Sequence, residues 1–257
     1  VQTVVKCLGA AILAAIAAAS PSIGPSAVPV ERGGHRRYAA VAFDYFVLFN
    51  PDSVRSVVDG IVPGKGREFT SLWRTRQFEY TWLRSITGRY VDFFAITNDA
   101  LVHTASAMHV NLTAAQKQQL QNAYLHLTPW PDAADALRRL RAADVRVIAL
   151  ANFSPFMLRA NAENAGLTPL FEALVSTDAN FTYKPDPRAY QLGVDRLQLD
   201  KRDIVFAAFG GWDAAGAKSF GYPTVWVNRF NQPVEELGIS PDRTTTDLKG
   251  LLDFVLH

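Results

Sequence analysis

A chain of 257 residues is long enough for one large domain, or for a core carrying an inserted lobe. Apolar residues make up 49% and charged residues 19%, the balance of a globular protein and not of a disordered one. The net charge of +2, with no basic stripe interleaved with aromatics, gives no ground for a nucleic-acid partner.

Lys6 precedes an apolar run from Cys7 to Ala19, and Ser20-Pro21-Ser22 follow. This is a secretory signal pattern, with cleavage expected after Ala19 or Ala27. The run is too short for a comfortable transmembrane helix, so stable membrane insertion is not expected. Cleavage would remove the only cysteine and leave a mature chain without disulfide or thiol chemistry. The competing reading is an over-extended gene start in an alanine-rich genome. The first reading places the protein in the periplasm or outside the cell, the second in the cytoplasm. Residues 20–37, rich in Pro, Ser, Gly and Arg, read as a tether, of which 28–37 form the linker left after cleavage at Ala27.

Tyr38 to Phe43 is a short, continuously apolar run, the pattern of a buried strand, and it ends at Asp44. A buried, unpaired carboxylate costs several kcal/mol, so Asp44 calls for partners. From about Ser53 to Leu127 there is no convincing strand. Apolar residues recur at helical spacing through Phe69, Leu72, Trp73, Phe78, Trp82 and Ile86. Further helices are expected over Val91–Met108 and from Thr113, a candidate cap, to Leu125. The aromatic cluster Phe78, Tyr80, Trp82, Tyr90, Phe93 and Phe94 reads as core or subunit packing in preference to a substrate cage.

Beyond Trp130 the pattern changes. Helices are expected over Pro131–Ala143, Pro155–Ala165, Asp186–Leu197 and Asp213–Phe220. Strands are expected over Val145–Leu150, Ala173–Ser176, Ile204–Ala208 and Thr224–Val227. Alternating strands and helices imply a parallel sheet covered on both faces. The first strand is separated from the others by the helical stretch. The expected organisation is therefore an α/β Rossmann-like core of 38–52 and 128–257, with a helical cap of 53–127 inserted into it. A pocket would lie between the two. Asn152 and Asp213 each follow a core strand and Lys184 begins a helix after another, all at the sheet edge that carries Asp44, so the four could converge on one site.

With these elements in place, the chain resembles the haloacid dehalogenase superfamily, and within it the L-2-haloacid dehalogenase branch. The resemblance spans roughly Ala39 to Gly238. It is carried by AFDYFVLFNPDSV, by LWRTRQFEYTWLRSITGRYVDFF, by TYKPDPRAY and by GWDAAGAKSFGYPTVWVNR. It implies an HAD-like fold and nucleophilic catalysis by Asp44, which attacks the halogen-bearing carbon with inversion. Water then hydrolyses the ester at the carboxyl carbon. Lys184 takes the role of the lysine that keeps the attacking carboxylate ionised. Asp213 takes that of the second acid, which holds the lysine and helps activate water; read from its neighbours alone, it is equally a helix N-cap. Arg74 matches the cap arginine that faces the nucleophile and draws off halide, while Arg76 reads as a solvated neighbour. Tyr45, Phe46, Asn152 and Tyr190 match substrate-pocket positions. No metal and no cofactor is implied, and paired cap helices imply a homodimer.

Several positions depart from the family pattern. Phe46-Val47-Leu48 stands where a Tyr-Gly-Thr run is usual, Ala151 where a serine precedes Asn152, and Ala208-Phe209-Gly210 where Ser-Ser-Asn precedes the tryptophan. Phe46 also stands where a phosphatase of this superfamily needs a proton-donating acid, which argues against phosphate transfer. The expected function is hydrolytic dehalogenation of short 2-haloalkanoic acids. The alternative is an HAD-fold protein that binds a small organic anion with little or no catalysis.

Overall fold

The computed structural model describes residues 38–257; the expected leader and linker at 1–37 lie outside the described residues. Strand β1 (Ala40–Phe43) is wholly buried, and Asp44 at its end caps a one-turn helix, α1 (Tyr45–Leu48). A two-residue strand, β2 (Phe49–Asn50), follows. Four helices then occupy the strand-poor stretch: α2 (Arg55–Ile61), α3 (Gly66–Ile86), α4 (Phe93–Ala107) and α5 (Ala114–Ala123). Strand β3 (Thr128–Pro129) pairs antiparallel with β2 and so closes the base of the insert.

The rest alternates as the pattern requires: α6 (Ala133–Ala142), β4 (Arg146–Ala151), α7 (Pro155–Asn164), β5 (Ala173–Ser176) and α8 (Pro187–Leu197). After these come β6 (Ile204–Ala208), α9 (Gly211–Phe220), β7 (Thr224–Val227), β8 (Arg243–Thr245) and α10 (Leu248–Leu256). The last two elements were not foreseen. The strands form one parallel sheet in the order β5-β4-β1-β6-β7-β8. This is the expected α/β, HAD-like architecture.

β1 is central because both faces of AVAF are apolar; it aligns Phe43 with Ala149 of β4 on one side and with Ala207 of β6 on the other. The chain builds outward through β4 and β5, then returns to the other side of β1. β1 is therefore the point where the winding reverses, and the crevice at its carboxyl end is where such sheets bind ligands. Asp44 stands there.

Polar contacts tie the helical insert to the core. Fully buried Asn161 of α7 accepts from Leu127 N at 2.7 Å and donates to Tyr124 O at 2.9 Å. Ser154 donates to Asp92 Oδ1 at 2.9 Å, and the Tyr183 hydroxyl to Val91 O at 2.5 Å. Inside the insert, Trp73 Nε1 and Gln77 Nε2 of α3 donate to the carbonyl and hydroxyl of Thr97 in α4. Thr113 caps α5 as expected, in a reciprocal capping box with Gln116. Among the described residues, no helix is long and apolar enough to cross a membrane.

Candidate active site

The carboxylate of Asp44 is held from two sides. Its Oδ2 accepts from the amide of Phe46 at 3.1 Å, because Asp44 is the N-cap of α1. Its Oδ1 accepts from Lys184 Nζ at 2.6 Å. The same Nζ donates to Asp213 Oδ2 at 2.7 Å, so one ammonium bridges the two carboxylates. Lys184 is fully buried and the Asp213 side chain is 1% exposed, whereas that of Asp44 retains 14%. Only Asp44 of the three charges offers appreciable surface to an incoming molecule.

Burial opposes the charge on Lys184, but Asp213 and Asp44 outweigh it and hold the ammonium above the usual lysine range. Burial pushes the Asp213 carboxyl up to about 6; Lys184 pulls against that rise and the charge of Asp44 adds to it. Tyr190 completes the arrangement by donating to Asp213 Oδ1 at 2.7 Å. Burial holds the Tyr190 hydroxyl well above the usual tyrosine range, so it keeps its proton and acts as donor. Gly216 makes room for it: a Cβ there would lie 2.5 Å from the hydroxyl oxygen.

Three expectations need correction. Lys184 does not begin a helix: α8 starts at Pro187 with Asp186 as its cap, and Lys184 lies in the preceding loop. The backbone N–H of Lys184 donates to Asn152 Oδ1 at 2.9 Å, which aims the side chain inward and not at solvent. Asp213 is not an N-cap either. That position belongs to Gly210, and Asp213 sits in the first turn of α9 with both oxygens committed to Lys184 and Tyr190. Tyr190, expected at the substrate, is fully buried behind Asp213 and does not line the cavity.

The cavity itself has a volume of about 640 Å³ and lies between the strand ends and the insert. Asp44, Tyr45, Phe46, Asn152 and Asp213 line it from the core, and Arg67, Thr70, Ser71, Arg74 and Phe78 from α3. The hydroxyl of Tyr45 is spent on Leu158 O at 2.7 Å, so that residue contributes no polar group. The ring of Phe46 packs edge-on to Phe153 and tilted against Phe209, with centroids 5.3 and 5.6 Å away. Its carbonyl accepts from Trp130 Nε1 and that of Val47 from Arg229, which fixes the turn after the nucleophile. Phe78 and Phe93, expected only as packing, also reach the cavity wall.

Arg74 lines the cavity and is paired with Asp52 at 2.5 Å, a partner that sequence reading missed. Asp52 belongs to the turn after β2 and looks like an ordinary turn residue in Asn50-Pro51-Asp52. Phe153, Phe209, Trp212 and Phe230 were missed as well, since each falls in a loop or at a helix start with no periodicity to expose it.

A family model for haloacid dehalogenase-like hydrolases matches residues 15–221. The chain belongs to that family. Within it, the chain is 42% identical over 214 residues to an (S)-2-haloacid dehalogenase of Pseudomonas sp. (strain YL), covering 83% of this chain and 92% of that one. It is 36% identical over 223 residues to haloacetate dehalogenase H-2 of Moraxella sp. (strain B), covering 86% and 98%. Among solved structures, an L-2-haloacid dehalogenase of Xanthobacter autotrophicus with chloropropionic acid covalently bound superposes with a TM-score of 0.81. That likeness carries 33% identity and covers 85% of this chain and 98% of that one. This member of the family thus groups with the L-2-haloacid dehalogenase branch.

Some members of a hydrolase family of this kind work with magnesium, which needs oxygen ligands in near-octahedral array. The residues here do not fit that ion. The space between the two carboxylates is filled by the ammonium of Lys184, and Phe46 supplies a ring where a ligand or acid would stand. Among the described residues, no group of three or more His, Cys, Asp or Glu is placed to hold a metal.

Proposed function

We propose that this protein hydrolyses the carbon–halogen bond of short 2-haloalkanoic acids through an ester on Asp44. The observation that carries the reading is the single buried ammonium gripping both Asp44 and Asp213 at the floor of the cavity. The names of the relatives support the substrate class, and the covalently bound chloropropionic acid of one neighbour supports an ester.

An oxygen of Asp44 attacks C2 of the halo acid from the side opposite the halogen. The new carbon–oxygen bond forms as the carbon–halogen bond breaks, the halide departs with the bonding pair, and C2 inverts. Arg74, on the insert across from the strand ends, supplies the positive charge toward which halide leaves. Water then attacks the ester at Cγ of Asp44 and loses one proton; as the Cγ–O bond to the product breaks, the second proton passes to the departing alkoxide oxygen, which releases the 2-hydroxy acid and restores the carboxylate. Lys184 stabilises negative charge on the carboxyl group in both steps. Asp213, whose carboxyl burial pushes up to about 6, accepts the water's proton. Halide release from 2-chloropropionate, followed against a panel of 2-halo acids, tests the reading directly.

The turnover rate is expected to fall as pH drops through about 6, where Asp213 takes up a proton. Tyr190→Phe removes a hydrogen bond that favours the ionised carboxylate, so this acid limb is expected at higher pH in the variant. A pH–rate profile with an unmoved limb would remove Asp213 from the role.

The donor-poor core wall favours one second reading. Ala151 and Gly210 on that wall offer no side-chain donor, and the amide of Phe46 is already used by Asp44. A protein that binds a small carboxylate without turning it over would show tight binding and no halide release from any 2-halo acid.

Two further features complete the proposal. Leu83 and Ile86 of α3 and Val102 of α4 are exposed, at 55%, 83% and 41%, and support pairing of two chains through these helices. Light scattering is expected to give a dimer; a monomer at micromolar concentration rejects it. Export rests on the Lys6 and Cys7–Ala19 pattern. N-terminal sequencing of the mature protein should then begin after Ala19 or Ala27, and a start upstream rejects it.

A further inference from the structure

Arg74 does not stand in the cavity as a bare cation. Its Nη1 donates to Asp52 Oδ1 at 2.5 Å, and its guanidinium carbon lies 5.6 Å from the ring centre of Phe230. Among the described residues the guanidinium makes no other hydrogen bond. Both members of the pair line the cavity; the Arg74 side chain is 18% exposed and that of Asp52 42%. Two more cavity arginines are paired within their own part of the fold, Arg55 with Asp59 and Arg229 with Asp132. The pair of Arg74 instead crosses from α3 to the short helical turn Pro51–Val54, which leads from the core into the insert. That turn is held without the Asp52 carboxylate. Asp52 N donates to Asn50 Oδ1 at 2.9 Å, Ser53 Oγ to Asn50 O at 2.7 Å, and Thr128 N to Ser53 Oγ at 3.1 Å. The carboxylate is thus spent on Arg74 and not on the fold of its own turn.

We infer that Asp52 is a positioning residue that acts through Arg74: it holds the guanidinium at the cavity wall and counters its charge, so that departing halide is received and then let go. The inference rests on the dehalogenase reading and adds to it a control on product release. During the attack the halogen carries only part of a negative charge; after it, a whole one. An uncountered arginine in the cavity would therefore grip the product ion more tightly than the transition state, which slows release without helping the chemistry. Asp52 takes one of the five N–H donors of Arg74 and leaves the others to meet the halide. At the same time it cancels much of the net charge that would retain the ion.

The test compares wild type, Asp52→Asn, Asp52→Glu and Arg74→Gln, with bromide inhibition of 2-chloropropionate turnover measured at constant ionic strength. Asp52→Asn keeps the shape of the side chain and removes its charge. It is expected to bind bromide about twofold to fivefold more tightly, the worth of a partly exposed ion pair. Asp52→Glu keeps the charge and should stay closer to wild type. A gain in affinity separates this role from a structural one, because a damaged cavity loses its hold on the ion. Unchanged or weakened bromide inhibition in Asp52→Asn overturns the inference and leaves dehalogenation standing. Broadening of the chloride NMR line measures halide binding without any turnover. It should be reversed by bromide, increase in Asp52→Asn, and vanish in Arg74→Gln whether or not Asp52 is also replaced. If wild type releases no halide from any 2-halo acid, the dehalogenase reading fails and the NMR measurement decides alone. Broadening stronger in Asp52→Asn than in wild type upholds the countercharge, and equal or absent broadening overturns it.

Discussion

Asp44→Asn is expected to abolish halide release from 2-chloropropionate, by at least about 10⁴-fold, as removal of a covalent nucleophile does elsewhere. The substitution is nearly isosteric and keeps a carbonyl oxygen as N-cap for Phe46 N, so the fold and the turn α1 should survive. What is lost is the charge that attacks C2. A single turnover of wild type in heavy-oxygen water gives the complementary result. The label should enter the carboxylate of the peptide containing Asp44, because water attacks Cγ of the ester and not C2. Halide release without label in that peptide would mean direct attack of water on the substrate. Full activity in Asp44→Asn would reject every version of the mechanism in which this residue bonds to carbon.

The sheet was legible because its strands are short apolar runs bounded by polar turns and helices, and β1, β4, β5, β6 and β7 fell where the pattern put them. β8 was not, since Arg243-Thr244-Thr245 is a polar edge strand with no alternation to mark it. α2 was missed for a similar reason: it buries only Val58, so most of its apolar pattern is absent. In the site, Asp44 was legible because a buried charge at a strand end stands out in an apolar sequence, whereas the roles of Arg74, Lys184 and Asp213 came from the family resemblance. Tyr190 was assigned to the substrate because sequence gives the helix but not its depth. Its role as donor to Asp213 depends on Gly216 opposite, and no spacing rule links residues 26 positions apart in α8 and α9.

Lys184→Met should be the most costly substitution for the fold itself. It leaves two carboxylates, one 14% and one 1% exposed, facing the space where a shared ammonium stood. Breaking a buried ion pair from one side costs about 3–5 kcal/mol. The loss should depend on pH, and its sign follows from Asp213. In the native protein that carboxyl is already raised to about 6, above its ordinary value of 3.8. A raised folded pKa contributes stability at low pH that is lost as pH rises through it. Removing Lys184 removes the pull that opposes the rise, so the folded pKa climbs further and the protein is penalised more at pH 8 than at pH 5. Urea unfolding at the two pH values measures this. Adding Asp213→Asn to Lys184→Met should restore much of the stability at pH 8 but none of the activity, because the charge repulsion goes and the ammonium does not return. An equal loss at both pH values would mean that Lys184 stabilises through its buried methylenes and its backbone link to Asn152. The triad would then be a packing feature with charges attached, and the buried ammonium would no longer account for how the attacking carboxylate is held in place.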